Sequence, residues 1–136
     1  MLRISKLADY ACVMMSAMAT TPQIALSAVQ IAETTHLTLP TVRKVLKQLS
    51  TKGLLISARG ANGGYQLART PQQITTADII EAVDGPLALT ECSHPHGACI
   101  HQRNCHIKNR WQGINGVVQQ ALQRINLQQM TQKTLN

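Results

Sequence analysis

Between Leu54 and Ala68 the chain is written as a hairpin. Leu54-Leu55-Ile56-Ser57 and Tyr65-Gln66-Leu67-Ala68 read as two short paired strands. The seven residues between them, Ala58 to Gly64, hold three glycines and Asn62. Those residue types supply the positive φ angles that a tight tip needs. Arg59 stands beside this tip. A basic, glycine-tipped hairpin limits what the flanking segments can form, and the segment before it is helical in pattern.

Ser5 can cap a first helix whose Leu7, Tyr10, Ala11, Met14 and Met18 follow i, i+3, i+4, i+7, i+11 spacing, with Pro22 beyond its end. Ser27-Ala28-Val29-Gln30 matches a capping box that opens a second helix, running to about Thr34. After the tight connection His36-Leu37, Thr38 can cap a third helix with Leu39-Pro40 in its first turn. Its apolar stripe is Val42, Val45, Leu46 and Leu49, and Lys52-Gly53 closes it. Two short helices joined by a few residues form a helix-turn-helix candidate. Followed by the basic hairpin, they make a winged helix.

Beyond the hairpin, Thr75-Thr76-Ala77-Asp78 opens a helix carrying Ile79, Ile80, Ala82 and Val83, stopped by Asp84-Gly85-Pro86. A loop rich in cysteine and histidine occupies residues 90–106. The last long helix spans about Ile107 to Arg124. Ile107, Trp111, Ile114, Val118, Ala121 and Ile125 recur along it at steps of four and three, a heptad seam. Asn126 can cap a final short turn bearing Leu127 and Met130. Gly113 and Gly116 lie inside the long helix, each costing about 1 kcal/mol against alanine unless a close backbone approach needs them.

Charge follows the same divisions. The formal net charge is +7. Residues 1–70 hold eight Lys/Arg and two Asp/Glu, residues 71–91 hold four acids and no base, and residues 92–136 hold five bases and no acid. The basic first half points to a polyanion, and nucleic acid is the usual one. There is no Phe, and the aromatics are Tyr10, Tyr65 and Trp111. That disfavours a stacking platform for single strands, so double-stranded DNA is the expected partner. On the third helix Thr41, Arg43, Lys44, Lys47 and Gln48 lie off the apolar stripe. Arg and Gln can read guanine and adenine edges, and lysines suit phosphates. Arg59 on the hairpin suits a minor groove. A solvated helix face would show similar residues; the neighbouring wing decides for DNA.

Cys92, Cys99 and Cys105 fall within fourteen residues, with His94, His96, His101 and His106 between or beside them. Three thiols this close in a reducing compartment imply a soft metal. The spacing lacks the C-x2-C knuckle usual in zinc sites and differs from common ferredoxin runs. It leaves zinc and an iron–sulfur cluster both open. Cys12 stands apart and reads as a packed residue. Arg3 and Lys6 before an apolar stretch outline a short signal peptide, but Asp9 and Tyr10 interrupt it. A cytoplasmic location is expected, and no apolar run approaches a membrane span. No nucleotide-binding glycine motif and no Ser/His/Asp arrangement is present. Neither an enzyme nor a small-molecule substrate is expected.

With these motifs in place, the chain resembles the IscR- and NsrR-type winged-helix transcription regulators from Met1 to about Met130. The residues carrying the resemblance are Arg3-Ile4-Ser5-Lys6, the run from Gly53 through the hairpin to Leu67, Ile79 to Gly85, and the three loop cysteines. The resemblance implies a mostly α fold: a winged helix-turn-helix with a two-stranded wing, and a long C-terminal dimerisation helix. It divides the chain into a DNA-binding domain (1–85), a cluster-binding loop (86–106) and a dimerisation helix with tail (107–136). It implies a homodimer on a palindromic operator, and a 2Fe-2S or 4Fe-4S cluster on Cys92, Cys99 and Cys105 that tunes DNA affinity. Within the family the chain looks most like the branch regulating SUF cluster-assembly genes. A nitric oxide sensor of the NsrR kind and a zinc-stabilised protein without redox sensing are the other readings.

The fourth ligand departs from one pattern. IscR-like members place a histidine three residues after the third cysteine, where this chain has Lys108. NsrR-like members use an Asp in the first helix of the partner subunit, and Asp9 matches that position. At about 100° per residue Asp9 faces away from its own helix's apolar stripe. An acid in the first helical turn is also ordinary helix chemistry. His101 and His106 remain alternatives.

Overall fold

The computed structural model describes residues 2–60 and 63–132. Ala61 and Asn62 of the hairpin tip, and residues 133–136, lie outside the described residues. Six helices and one hairpin are described: α1 (Lys6–Ala19), α2 (Ala28–Thr35), α3 (Leu39–Thr51), β1 (Leu55–Ala58), β2 (Gly64–Leu67), α4 (Thr76–Asp84), α5 (Lys108–Arg124) and α6 (Leu127–Thr131). The architecture is the expected one: mostly α, with a two-stranded wing and a long C-terminal helix.

Local chemistry starts most helices where the sequence places them. The Ser5 hydroxyl accepts from the Ala8 N–H, and full capping boxes open α2 at Ser27, α4 at Thr75 and α6 at Asn126. Thr38 is different. It occupies the N-cap of α3 but makes no capping bond; its hydroxyl donates to Thr41 Oγ1 at 2.8 Å. Gly53, at φ +78°, ends α3 in the left-handed region.

α1 is the central helix and packs against α2, α3, α4 and α6. Being surrounded in this way widens its buried face. Ala8, Ala11, Met14, Met15, Met18 and Ala19 are buried, while the expected Leu7 and Tyr10 are only half-buried. Val42, Val45, Leu46 and Leu49 of α3 are all fully buried in the same aliphatic core, with Ile31, Ile74, Ile79 and Leu127. Leu46→Ala should therefore cost about 2–5 kcal/mol, the range for emptying a buried leucine site. Urea unfolding checks this, and a loss under about 1 kcal/mol would place Leu46 outside the core.

The wing is antiparallel, with Leu55 opposite Leu67 and Ala58 opposite Gly64. Both strands are shifted by one residue from the spans expected on sequence. The segment before α2 joins the sheet as well: Leu26 and Tyr65 exchange backbone bonds of 2.9 and 2.7 Å. A side chain at Gly64 would collide with the Leu26 carbonyl, so glycine is needed there for contact. The C-terminal end also returns to the body. Leu127 N–H donates to the Ile74 carbonyl at 2.8 Å, and the Thr76 N–H and hydroxyl both donate to the Ile125 carbonyl at 2.8 Å.

Candidate nucleic-acid interface and cysteine loop

α2 and α3 pack together, and burial of Val42, Val45, Leu46 and Leu49 turns the opposite side of α3 to solvent. Arg43, Lys44 and Lys47 are exposed there. Thr41 and Gln48 are half-buried. The Thr41 hydroxyl already accepts from Thr38, and the Gln48 amide oxygen is shielded with no hydrogen-bond partner among the described residues. The structure thus divides the five expected contact residues into three exposed cations and two polar groups at the flank. Arg59 is exposed where β1 leaves the sheet, next to Gly60 at φ +115°.

The acids of α4 are held by other residues of the chain. Asp78 accepts the Thr75 N–H at 2.9 Å and lies 4.0 Å from the Arg69 guanidinium. Glu81 accepts from the Gln119 amide at 3.1 Å, and Asp84 accepts the Ser5 hydroxyl at 2.7 Å. These contacts hold the three carboxylates to the body of the protein, and Asp78 and Glu81 line a shallow hollow together with Lys52 and Arg69.

Residues 86–107 form a loop with one short 3-10 turn at Glu91–Ser93. Cys92, Cys99 and Cys105 are half-buried thiols in no disulfide. Cys92 Sγ sits 3.1 Å from the Thr90 hydroxyl. No three His, Cys, Asp or Glu side chains among the described residues lie together as a ready-made metal site. The loop therefore supplies the donors without gathering them. His94, His96, His101 and His106 are all exposed. Asp9 is exposed on the first turn of α1. Cys12, on the same helix, is packed against the core. Burial, and then the nearby Asp9 charge, push its thiol up to about 11, so it stays protonated and unreactive at neutral pH.

α5 has two distinct sides. One carries the seam: Ile107, Ile114, Ala121 and Ile125 are exposed, and Trp111 and Val118 are half-buried. Val117, which falls outside the heptad spacing, is 66% exposed and belongs to the same apolar face. Arg110, Gly113, Ile114, Val117 and Val118 line a shallow hollow of about 520 Å³. A Cβ at Gly113 or Gly116 would meet nothing within 4 Å, so nothing within the described chain requires either glycine. The side turned to the body carries Asn115, the one buried residue of α5. Its amide contacts were not legible from the sequence, where it is one of many polar residues in a polar helix. No helix among the described residues is long and apolar enough to cross a membrane.

Comparison with known proteins gives this arrangement a family. The family model Rrf2, described as an iron-dependent transcriptional regulator, matches residues 4–133. The transcriptional regulator NsrR of Halalkalibacterium halodurans is 30% identical over 123 residues, covering 89% of this chain and 80% of that protein. CymR, the global cysteine regulator of B. subtilis, has a similar fold, with a TM-score of 0.76 at 29% identity over 96% of this chain and 97% of that one. T. potens IscR gives a TM-score of 0.74 at 28% identity, covering 95% of this chain and 85% of that one.

Proposed function

The chain belongs to the Rrf2 family and is a winged-helix, DNA-binding transcriptional regulator rather than an enzyme; from that premise we propose that an iron–sulfur cluster held by Cys92, Cys99 and Cys105 controls its affinity for DNA. The observation carrying this reading is the loop itself. Three thiols outside any disulfide lie on a segment of little regular structure, joined directly to α5. A donor set of thiolates suits iron–sulfur clusters. The thiols do not converge in the protomer, so loading must draw the loop inward. Such a cluster, 2Fe-2S or 4Fe-4S, adds a charged and redox-sensitive cross-link among the loop residues. Asp9 of the partner subunit is the proposed fourth ligand, since its carboxylate is exposed and Lys108 occupies the position a histidine would need.

The functional unit in this reading is a homodimer closed through α5. Its support is the exposed apolar row Ile107, Ile114, Val117 and Ile125, with Gly113 beside it. A helical glycine costs about 1 kcal/mol, and a second helix approaching closely at the hollow would offset it. Two recognition helices then read two halves of a palindrome. The resemblance to the SUF branch supports cluster-assembly genes as the regulated targets.

A second reading is favoured by the likeness to CymR, a cysteine regulator by name. In it the loop works without iron, as free thiols or around a structural zinc. Anaerobic purification with metal and sulfide analysis separates the two. Iron, sulfide and a visible absorption band are expected. Colourless protein carrying zinc or no metal would overturn the cluster. In the same assay Asp9→Ala should lower iron content and shift the spectrum; identical content and spectrum would remove Asp9 from the ligand set.

A further inference from the structure

One side of α5 carries three amide side chains at i, i+3 and i+7, a spacing that puts them on a single face. Gln112 Nε2 donates to the Cys92 carbonyl at 3.4 Å. Asn115 Oδ1 accepts from the Leu89 N–H at 2.9 Å, and its Nδ2 donates to the Leu87 carbonyl at 3.1 Å. Gln119 Nε2 donates to Glu81 Oε1 at 3.1 Å. The three contacts reach, in order, the cysteine loop, the segment leading into it, and helix α4.

Asn115 is the centre of this row. It is 8% exposed, and both halves of its amide are used. It grips the 87–89 backbone by donating to one residue and accepting from the next but one, as a neighbouring strand would. A buried amide bonded through both its oxygen and its nitrogen fixes geometry, because any shift leaves a donor or an acceptor unsatisfied. The exposed apolar row lies on a separate flank of the same helix, about a quarter turn or more from Asn115 at 100° per residue. We propose that Asn115 is a positioning residue, a latch through which displacement of the cysteine loop moves α5 and α4 as one piece and so alters DNA binding. This deepens the proposed function, since it rests on the loop being the regulatory element, but it does not require iron.

The test uses metal-free full-length protein, with Asn115→Leu as the variant. Leucine keeps a comparable volume and suits a helix while removing both bonds. Hydrogen exchange at the Leu89 amide should rise at least tenfold in N115L, with circular dichroism unchanged. The loop thiols are then alkylated with N-ethylmaleimide, the adduct sites are read by mass spectrometry, and affinity is measured for a duplex selected by the full chain from a random library. Alkylation should change affinity at least fivefold when Asn115 is present and less than twofold in N115L. An equal change in both proteins, no change in either, or unaltered Leu89 exchange would overturn the latch. Should N115L fold poorly, Asn115→Ala removes both bonds without adding apolar bulk; it should give the same rise in exchange, and wild-type exchange would again overturn the proposal. Absence of iron in anaerobic protein defeats the cluster reading and leaves these outcomes unaffected.

Discussion

Replacing Arg43, Lys44 and Lys47 together by alanine should reduce affinity for a library-selected duplex at least 100-fold at physiological salt. An arginine reading a guanine edge contributes about 1–3 kcal/mol of discrimination. Each phosphate deprived of its lysine should lower the slope of log affinity against log salt by about 0.9. Two lysines per recognition helix, doubled in the proposed dimer, amount to a slope change of roughly 3–4. The fold should tolerate the change, because all three side chains are exposed and the buried row is Val42, Val45, Leu46 and Leu49. Two measurements decide it. Thermal melting should be within a few degrees of the parent, and a salt titration of binding should show the flatter slope. Undiminished affinity at every salt concentration would mean that α3 does not meet the DNA.

The second large effect concerns regulation. Cys92→Ser/Cys99→Ser/Cys105→Ser should abolish iron binding and remove any difference in DNA affinity between iron-loaded and iron-stripped preparations. The winged helix itself should survive. The three thiols are half-buried on a loop, and none belongs to the aliphatic core. Residual DNA affinity in the variant then reports the ungoverned winged helix. A Cys12→Ser control should keep its iron, since Cys12 packs against the core on α1 with its thiol held protonated. A triple variant that still loads iron to the parent level would require ligands elsewhere in the chain.

The features legible in the sequence were those with local causes. Ser27, Thr75 and Asn126 announce helices because each capping box is a contact between residues three apart. The α3 stripe is legible because a helix with one buried side repeats its pattern within one window. Exposure of Arg43, Lys44 and Lys47 follows from that stripe. What escaped depends on distant partners. Met15 joins the core, and Leu7 drops to its edge, because four other helices surround α1. The pairing of Leu26 with Tyr65, 39 positions away in the chain, also escaped. Gln48 looks like a free base-reading amide in sequence, yet its oxygen is shielded in the fold. Asn115 carries no local signal: its partners, Leu87 and Leu89, are 28 and 26 residues earlier.

The return of the C-terminal end to the body gives the molecule a closed mechanical circuit. α5 leaves the winged helix through the cysteine loop and rejoins it through α6, which packs on α1 and on the turn at residues 71–73 with Leu127 fully enclosed in the core. A beam fixed at one end swings freely, whereas one fixed at both ends must bend or carry its supports with it. Whatever pulls on the loop therefore strains the winged helix from two sides, through the Leu87–Leu89 segment and through Ile125 and Leu127. The long C-terminal helix is then poorly suited to being exchanged between proteins as an interchangeable part: removing it also withdraws a core residue from the DNA-binding half.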